Sequence, residues 1–315
     1  MNPDNYLFYG GDAPHVMYLQ QNIHNTAITV VRWIFFVATI GLVLFMIVTI
    51  LGELLRWWLN FGRKNKPYNA LPGSKDEPQI ERFRSTFKWW HYAVMIGFTL
   101  AGIIGIMQAF PDWGPGQSFF NALGLHEVRN FHHYFAYIID GTLLFVICYY
   151  FYKLVIKKER MRAMFPTFKD IKDAIDMNLY ILGLKKHEPE YGRYTFGQKI
   201  DFFLVILGIP VLSVTGLTMH YTGLVHWLIG DVGIAMLVVI HRSMALFLTW
   251  FIISVHFYYA HLAPGFFPVN TVILTGKMPI SRYRALYPLD ADRYLLAEEK
   301  ITLEKSEELL PPTAD

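Results

Sequence analysis

The sequence predicts an all-α, integral membrane helical bundle, and three observations predict it. Of the 315 residues 54% are hydrophobic and only 17% are charged, against roughly 25% charged in soluble domains. The apolar residues fall in five long blocks, and a hydrocarbon layer of about 30 Å asks for about 20 such residues per helix. The basic residues lie almost entirely in alternate connections between those blocks.

Taken in chain order, the N-terminal stretch MNPDNYLFYGGDAPH has no basic region ahead of a short apolar core, so it does not read as a cleavable signal peptide. The first span, Trp33 to Leu55, is expected to stay in the mature protein. The second runs from Trp90 to Phe110 and the third from Tyr134 to Ile156. The fourth, Phe202 to His220, contains Gly208-Ile209-Pro210; a local kink is expected there, since neighbouring helices in a membrane can satisfy the freed carbonyl. The fifth runs from Ala235 to Tyr259. Between the third and fourth spans, Phe168, Ile171, Ile175, Leu179 and Leu182 recur at spacings of three and four. That spacing predicts an amphipathic helix, and with lysines on its other face such a helix suits a membrane surface. The charged tail from Leu289 reads as a surface or partner-binding extension.

Orientation follows from the lysines and arginines, which accumulate in cytoplasmic connections. Twenty-five of the 28 lie in residues 56–89, 153–199 and the tail from 263. The N-terminus is therefore expected outside, and the C-terminus and segment 157–198 in the cytoplasm. Trp57, Trp58, Trp89 and Trp90 would sit at the inner boundary and Trp113 and Trp227 at the outer one, as membrane-anchoring aromatics do.

The single cysteine, Cys148, excludes a disulfide framework, a thiolate iron–sulfur site and a CxxCH haem attachment made within this chain. Redox chemistry must rest on the 12 histidines. With a net charge of +3 and no basic stripe or Cys/His finger spacing, there is no nucleic-acid footprint.

Imidazoles buried in a membrane need partners. His241 and His256 are 15 residues apart, about 22 Å of rise and about 60° around an ideal α-helix, so they face roughly the same way at two depths. Because spans alternate in direction, His91 falls at the inner level with His256, and His132 at the outer level with His241. Two facing imidazole pairs stacked across a bilayer are what two bis-histidine haem b groups require. His133 or His220 at the outer level and His261 at the inner one remain alternatives. Gly97, Gly102, Gly105 and Gly216 would let a flat macrocycle approach the backbone. Arg129 and Arg242 flank the outer histidines, and Arg82 and Arg84 precede the inner one, where they suit propionates or simply the positive-inside pattern. Asp140 is the acid deep in a span, a functional position without an assigned partner.

The stretch Arg84 to Ala93 around Trp90-His91, the run Arg129-Asn-Phe-His132-His133, Tyr194-Thr-Phe-Gly-Gln-Lys199, His241-Arg242, His256-Phe257-Tyr258 and Leu274-Thr-Gly-Lys-Met-Pro279 together resemble the cytochrome b subunit of membrane-bound formate dehydrogenases. The resemblance covers roughly residues 80–288. It implies a four-helix core holding two haem b, with His132 and His241 on the outer haem and His91 and His256 on the inner one. It also implies electrons arriving from an iron–sulfur subunit, itself fed by a molybdenum or tungsten catalytic subunit, and leaving to menaquinone or ubiquinone near the inner face. The quinone pocket would lie beside Thr195 and Gly197; members of that family carry Asn at the position of Thr195, and a hydroxyl remains here. The interval from His241 to His256 is one residue longer than in the best-known members. The resemblance places the chain in the bacterial inner membrane, as an electron-transfer subunit with no catalysis of its own toward formate.

The expected organisation is thus an N-terminal periplasmic segment and extra span (1–62), a dihaem core (63–288) with a cytoplasmic linker (157–198), and a cytoplasmic tail (289–315). The cytochrome subunit of a nickel–iron hydrogenase or of a thiosulfate or polysulfide reductase is the nearest alternative. A haem-free transporter or anchor is the other, though internal repeats and paired broken helices, the marks of many transporters, are missing.

Overall fold

The computed structural model describes residues 26–59, 77–110, 112–158, 162–262 and 269–291. The N-terminal leader and the tail beyond residue 291, both read from sequence above, lie outside the described residues. The chain is an all-α integral membrane bundle with five helices long and apolar enough to cross a bilayer. In order, α1 is Thr26–Leu59, α2 Ser85–Ala109, α3 Gly114–Leu123, α4 Leu125–Phe151, α5 Phe168–Ile181, α6 Phe196–His220, α7 Thr222–Phe251, α8 Val272–Thr275 and α9 Ile280–Leu286. π-Helical turns follow α4 at Tyr152–Ile156 and α7 at Ile252–His256 and Tyr258–Leu262. Two short strands, β1 (Gln79–Glu81) and β2 (Lys277–Pro279), pair antiparallel with Ile80 opposite Met278.

All five spans exist, and the helices extend past the apolar blocks that mark them. The connection at 111–133, expected as a loop, contains α3 and the first turns of α4, so His132 and His133 lie two turns inside a helix. Polar residues such as Glu127 and Asn130 are helical there because they stand on exposed or half-buried turns, which an apolar-run criterion does not reach. The connection at 221–234 is likewise helical. At Gly208-Ile209-Pro210 the helix α6 is continuous, with Pro210 inside it, and the residue with non-helical backbone is Gly230 in α7, at φ 61°. A positive φ costs glycine little and other residues much, so Gly230 is where the short helix from Thr222 can turn into the long transmembrane one. Gly208 instead serves close packing, since a Cβ there would stand 2.6 Å from the Leu248 side chain.

The chain packs as two compact units. Unit one comprises residues 1–48, 86–160 and 204–258. Here small residues let helices approach: Ile28 of α1 packs on Ala235 and Val239 of α7, and a Cβ on Gly97 would meet Ile139 and the Phe135 carbonyl of α4. Most of the large apolar side chains of α1, among them Trp33, Phe36, Val37 and Leu44, point outward, the arrangement expected where lipid is the solvent. Trp89, Trp113 and Trp227 are exposed as anchors would be, whereas Trp90 turns edge-on to Phe87.

Unit two comprises 49–85, 161–203 and 259–315. Its core joins the β1–β2 pair to α8 and α9 through Ile80, Val272, Met278, Tyr283 and Tyr287, and a second cluster unites Met177, Ile181 and Phe196. The helix α5 forms where the apolar periodicity predicts it, with its apolar stripe left uncovered. Phe168, Ile171 and Ile175 are exposed, while Asp170, Asp173 and Met177 are buried. Ion pairing holds the acids inward: buried Asp170 meets Lys199 at 2.8 Å, and Asp173 meets Lys169 at 2.6 Å. The outward apolar stripe keeps the character expected of a helix at a membrane surface.

Candidate functional site

Unit one brings the four sequence-predicted histidines together as two pairs. The imidazole centroids of His132 (α4) and His241 (α7) are 6.3 Å apart, and those of His91 (α2) and His256 are 6.1 Å apart. Two metal–imidazole bonds of about 2 Å each, plus about 1 Å from each nitrogen to its ring centre, sum to about 6 Å. Both pairs therefore stand at the separation an iron between them needs. His133 and His220, each an alternative ligand from sequence, stand edge-to-face with one another at 4.4 Å, too close to admit a metal between the two. His261 falls in unit two, in the turn Tyr258–Leu262. Among the described residues no group of three or more His, Cys, Asp or Glu side chains gathers around one point, so a metal held by either pair needs a carrier that supplies its remaining ligands, as a porphyrin does.

The local structure decides which nitrogen each outer imidazole offers. His132 Nδ1 lies 3.0 Å from the Ala101 carbonyl of α2, and a carbonyl can only accept, so Nδ1 carries the proton. His241 Nδ1 lies 2.9 Å from Thr215 Oγ1, and the Thr215 hydroxyl donates to the Val211 carbonyl at 2.6 Å; the oxygen is left to accept from His241 Nδ1–H. In both rings Nε2 keeps its lone pair for a metal, the second-shell arrangement of ligating histidines.

The glycines divide into different roles. A Cβ at Gly105 would stand 3.2 Å from His132 Cε1, and one at Gly216 would stand 3.2 Å from His241 Cε1. Each of these two glycines makes room for a ligand ring. Gly102 opens directly on the space beside them, with only Thr249 within 4 Å. Gly97 is a helix-packing residue. The space itself is a cavity of about 660 Å³ bordered by both outer histidines, Gly102, Gly105, Gly216 and Thr249, within the range of cofactor pockets. Arg129, Asp140 and Arg242 also border it. Arg242 donates to the Ala109 carbonyl at 2.7 Å, which orients its guanidinium.

The other pair is held by aromatics and helix geometry. Phe87, one turn before His91 on α2, stacks on its ring at 6.0 Å and 22°, and Trp90 stands edge-on at 6.3 Å. His256 ends the π-turn Ile252–His256. Such a turn closes i to i+5 and so takes one residue more than an α-turn. The 15-residue interval, one longer than in the family it resembles, is absorbed in that turn, and the 60° offset of an ideal α-helix does not apply. Spacing alone could not reveal this.

Thr195, Gly197 and Arg82 belong to unit two. Thr195 begins α6 with a reciprocal pair of bonds: the Gln198 amide donates to Thr195 Oγ1 at 3.2 Å, and Gln198 Oε1 accepts from the Thr195 amide at 3.1 Å. This is the capping-box pattern, in which Thr and Asn are both effective, so the Thr found here where relatives of the resembled family carry Asn keeps the cap. Gly197 has open space at its Cβ position except for Thr195 Oγ1 at 3.8 Å. Arg82 is not a solvent-facing positive-inside residue. It is 7% exposed, donates to the Arg193 carbonyl at 2.6 Å and to Gln198 Oε1 at 3.4 Å, and lies over the Tyr287 and Tyr194 rings at 4.4 and 4.8 Å. Gln198 Nε2 in turn donates to Tyr287 Oη at 2.9 Å. Lys199 closes the set on Asp170. The element Tyr194 to Lys199, singled out from sequence for a quinone pocket, is thus also the knot that ties unit two together. The part played by Arg82 was missed because a lone arginine before a span reads as topology, and its aromatic partners are distant in the chain.

The sequence pattern of prokaryotic cytochrome b561 matches residues 82–271, more than half of the chain and the stretch that contains all four paired histidines. No curated protein matches the chain.

Proposed function

Because the chain belongs to the prokaryotic cytochrome b561 family, it is a multi-pass membrane cytochrome b of electron transfer, and we propose that it is the dihaem subunit of a respiratory dehydrogenase complex. In this reading it takes electrons from the iron–sulfur subunit of a periplasm-facing dehydrogenase, formate dehydrogenase foremost, and delivers them to menaquinone or ubiquinone near the cytoplasmic face. The observation that carries the reading is the repetition of one geometry: two histidine pairs with ring centres 6.3 and 6.1 Å apart, contributed by α2, α4 and the α7 span.

Haem b, when bound, supplies a one-electron couple at each level. The rest is the work of the chain. His132 and His241 present Nε2 with the proton fixed on Nδ1 by Ala101 and Thr215. His91 and His256 are directed at one another by stacking on Phe87 and by the π-turn. Arg129 and Arg242 border the cavity of the His132–His241 pair as counter-charges for carboxylates. The basic residues on the connections at 56–89 and 153–199 favour placing the His91–His256 level toward the cytoplasm. Thr195 and Gly197 belong to the connection at 153–199, whose basic residues favour the cytoplasmic side by the same rule, and in this reading a quinone would be reduced there. A quinone taking its protons there, while the donor releases its own outside, would build a membrane potential.

The test is spectroscopic. The purified chain should give a reduced-minus-oxidised spectrum of b type with two redox components. Absence of that signal contradicts the reading, as does a catalytic partner other than a dehydrogenase co-purifying with the chain.

A further inference from the structure

The outer cavity holds polar groups that the ligand geometry does not use. Gln108 Nε2 and His220 Nδ1 are buried, and neither has a hydrogen-bond partner among the described residues. Both side chains border the same cavity as His132 and His241. They reach it from different helices, Gln108 from the end of α2 and His220 from the end of α6. Chain geometry puts them beside the arginines. Gln108 precedes Ala109, whose carbonyl receives Arg242 at 2.7 Å. The His220 ring stands 4.4 Å from that of His133, one helical turn after Arg129. Four helices thus bring two cations and two unused nitrogen donors to one end of one cavity.

Burying a donor without a partner costs about 1–3 kcal/mol, and two in one place ask for an acceptor. A neutral imidazole protonated on Nδ1 and a carboxamide are both suited to carboxylate oxygens, and the guanidinium groups supply charge. A metal between His220 and His133 is excluded by their distance, and His220 stands outside the two facing pairs. Resting on the proposed haem site, we infer that Gln108 and His220, with Arg129 and Arg242, form a carboxylate collar that receives the propionates of the outer haem. The collar sets the potential of that haem, because each donor drawn toward a propionate reduces the negative charge felt by the ferric iron.

The experiment uses the full chain carrying Gln108→Leu, His220→Phe, or the conservative His220→Gln, which restores an amide donor. Haem content per chain and equilibrium redox titration are read. The collar predicts that all three variants keep both haems, that Gln108→Leu and His220→Phe lower the midpoint potential of one haem and leave the other unchanged, and that His220→Gln recovers most of the fall. Reconstitution with haem dimethyl ester separates propionates from a free carboxylate in the cavity: with the ester, variant and parent potentials should coincide. Unchanged potentials in both truncating variants overturn the collar, as does a fall that persists with the ester. Loss of one haem from both His220→Phe and His220→Gln overturns it too, since His220 would then be a ligand. His132→Ala serves as the control for the underlying site. If it leaves both haems in place the ligand assignment fails, and this outcome is distinct from any result on the collar.

Discussion

The two histidine pairs are spaced within 0.2 Å of each other, yet they are held by different means. At the His132–His241 level each ring is oriented by a hydrogen bond to a neighbouring helix and seated against a glycine. At the His91–His256 level one ring is stacked on Phe87 and the other is delivered by a π-turn. Hydrogen bonds fix tautomer as well as direction, whereas stacking and helix geometry fix direction alone. At the first level the protein therefore sets the tautomer of each ring as well as its direction.

The comparison breaks most sharply at the glycines. Gly216→Leu or Gly105→Leu should displace an imidazole that a single Cβ would already meet at 3.2 Å. The expected result is loss of one haem of the two, with the other retained, measured as haem per chain. A smaller effect is expected away from both levels. Arg82→Ala removes a buried guanidinium from between Tyr287, Tyr194 and Gln198 and should destabilise unit two by about 3 kcal/mol, as large-to-small core substitutions do. Limited proteolysis within 161–203 would report it, and both haem signals should survive.

Next in size is the acid response of unit two. Burial alone would raise the Asp170 carboxyl, but Lys199 and the hydroxyl and amide of Thr167 hold it below the usual carboxylate range. A carboxyl lowered by folding contributes stability above its unfolded pKa and loses it as pH falls through the folded value. Protection of α5 against hydrogen exchange should therefore persist through mildly acidic pH and fall only below the ordinary carboxylate range. Asp170→Asn, which leaves Lys199 buried without its carboxylate, should cost about 1–3 kcal/mol at neutral pH and flatten that dependence. The smallest effect belongs to Thr215→Val, worth about 1 kcal/mol of hydrogen bonding. It removes the acceptor of His241 Nδ1–H, makes the imidazole a weaker donor, and should raise the potential of one haem slightly. Phe87→Ala, at the other level, should leave that potential in place.

Much of this was legible from residue order. Five spans follow from apolar length, and the pairing of His132 with His241 and of His91 with His256 follows from alternation of span direction, because both depend on one-dimensional spacing. What escaped depends on partners far apart in the chain. The seating of α5 with its acids inward is decided by Lys199, 29 residues on from Asp170, and the role of Arg82 by Tyr287, 205 residues away, so neither pairing shows in a local pattern. Gly208 and Gly230 illustrate the same limit: Gly208 is needed for close approach to Leu248, 40 residues on, and the positive φ falls at Gly230, a glycine with nothing within 4 Å of its Cβ position.

The most direct test of the account counts haem in three variants: His132→Ala, His91→Ala and the two combined. The account predicts two haems per chain in the parent, one in each single variant with a different redox component lost in each, and none in the double variant. Retention of both haems in either single variant, or loss of the same component from both, would contradict it.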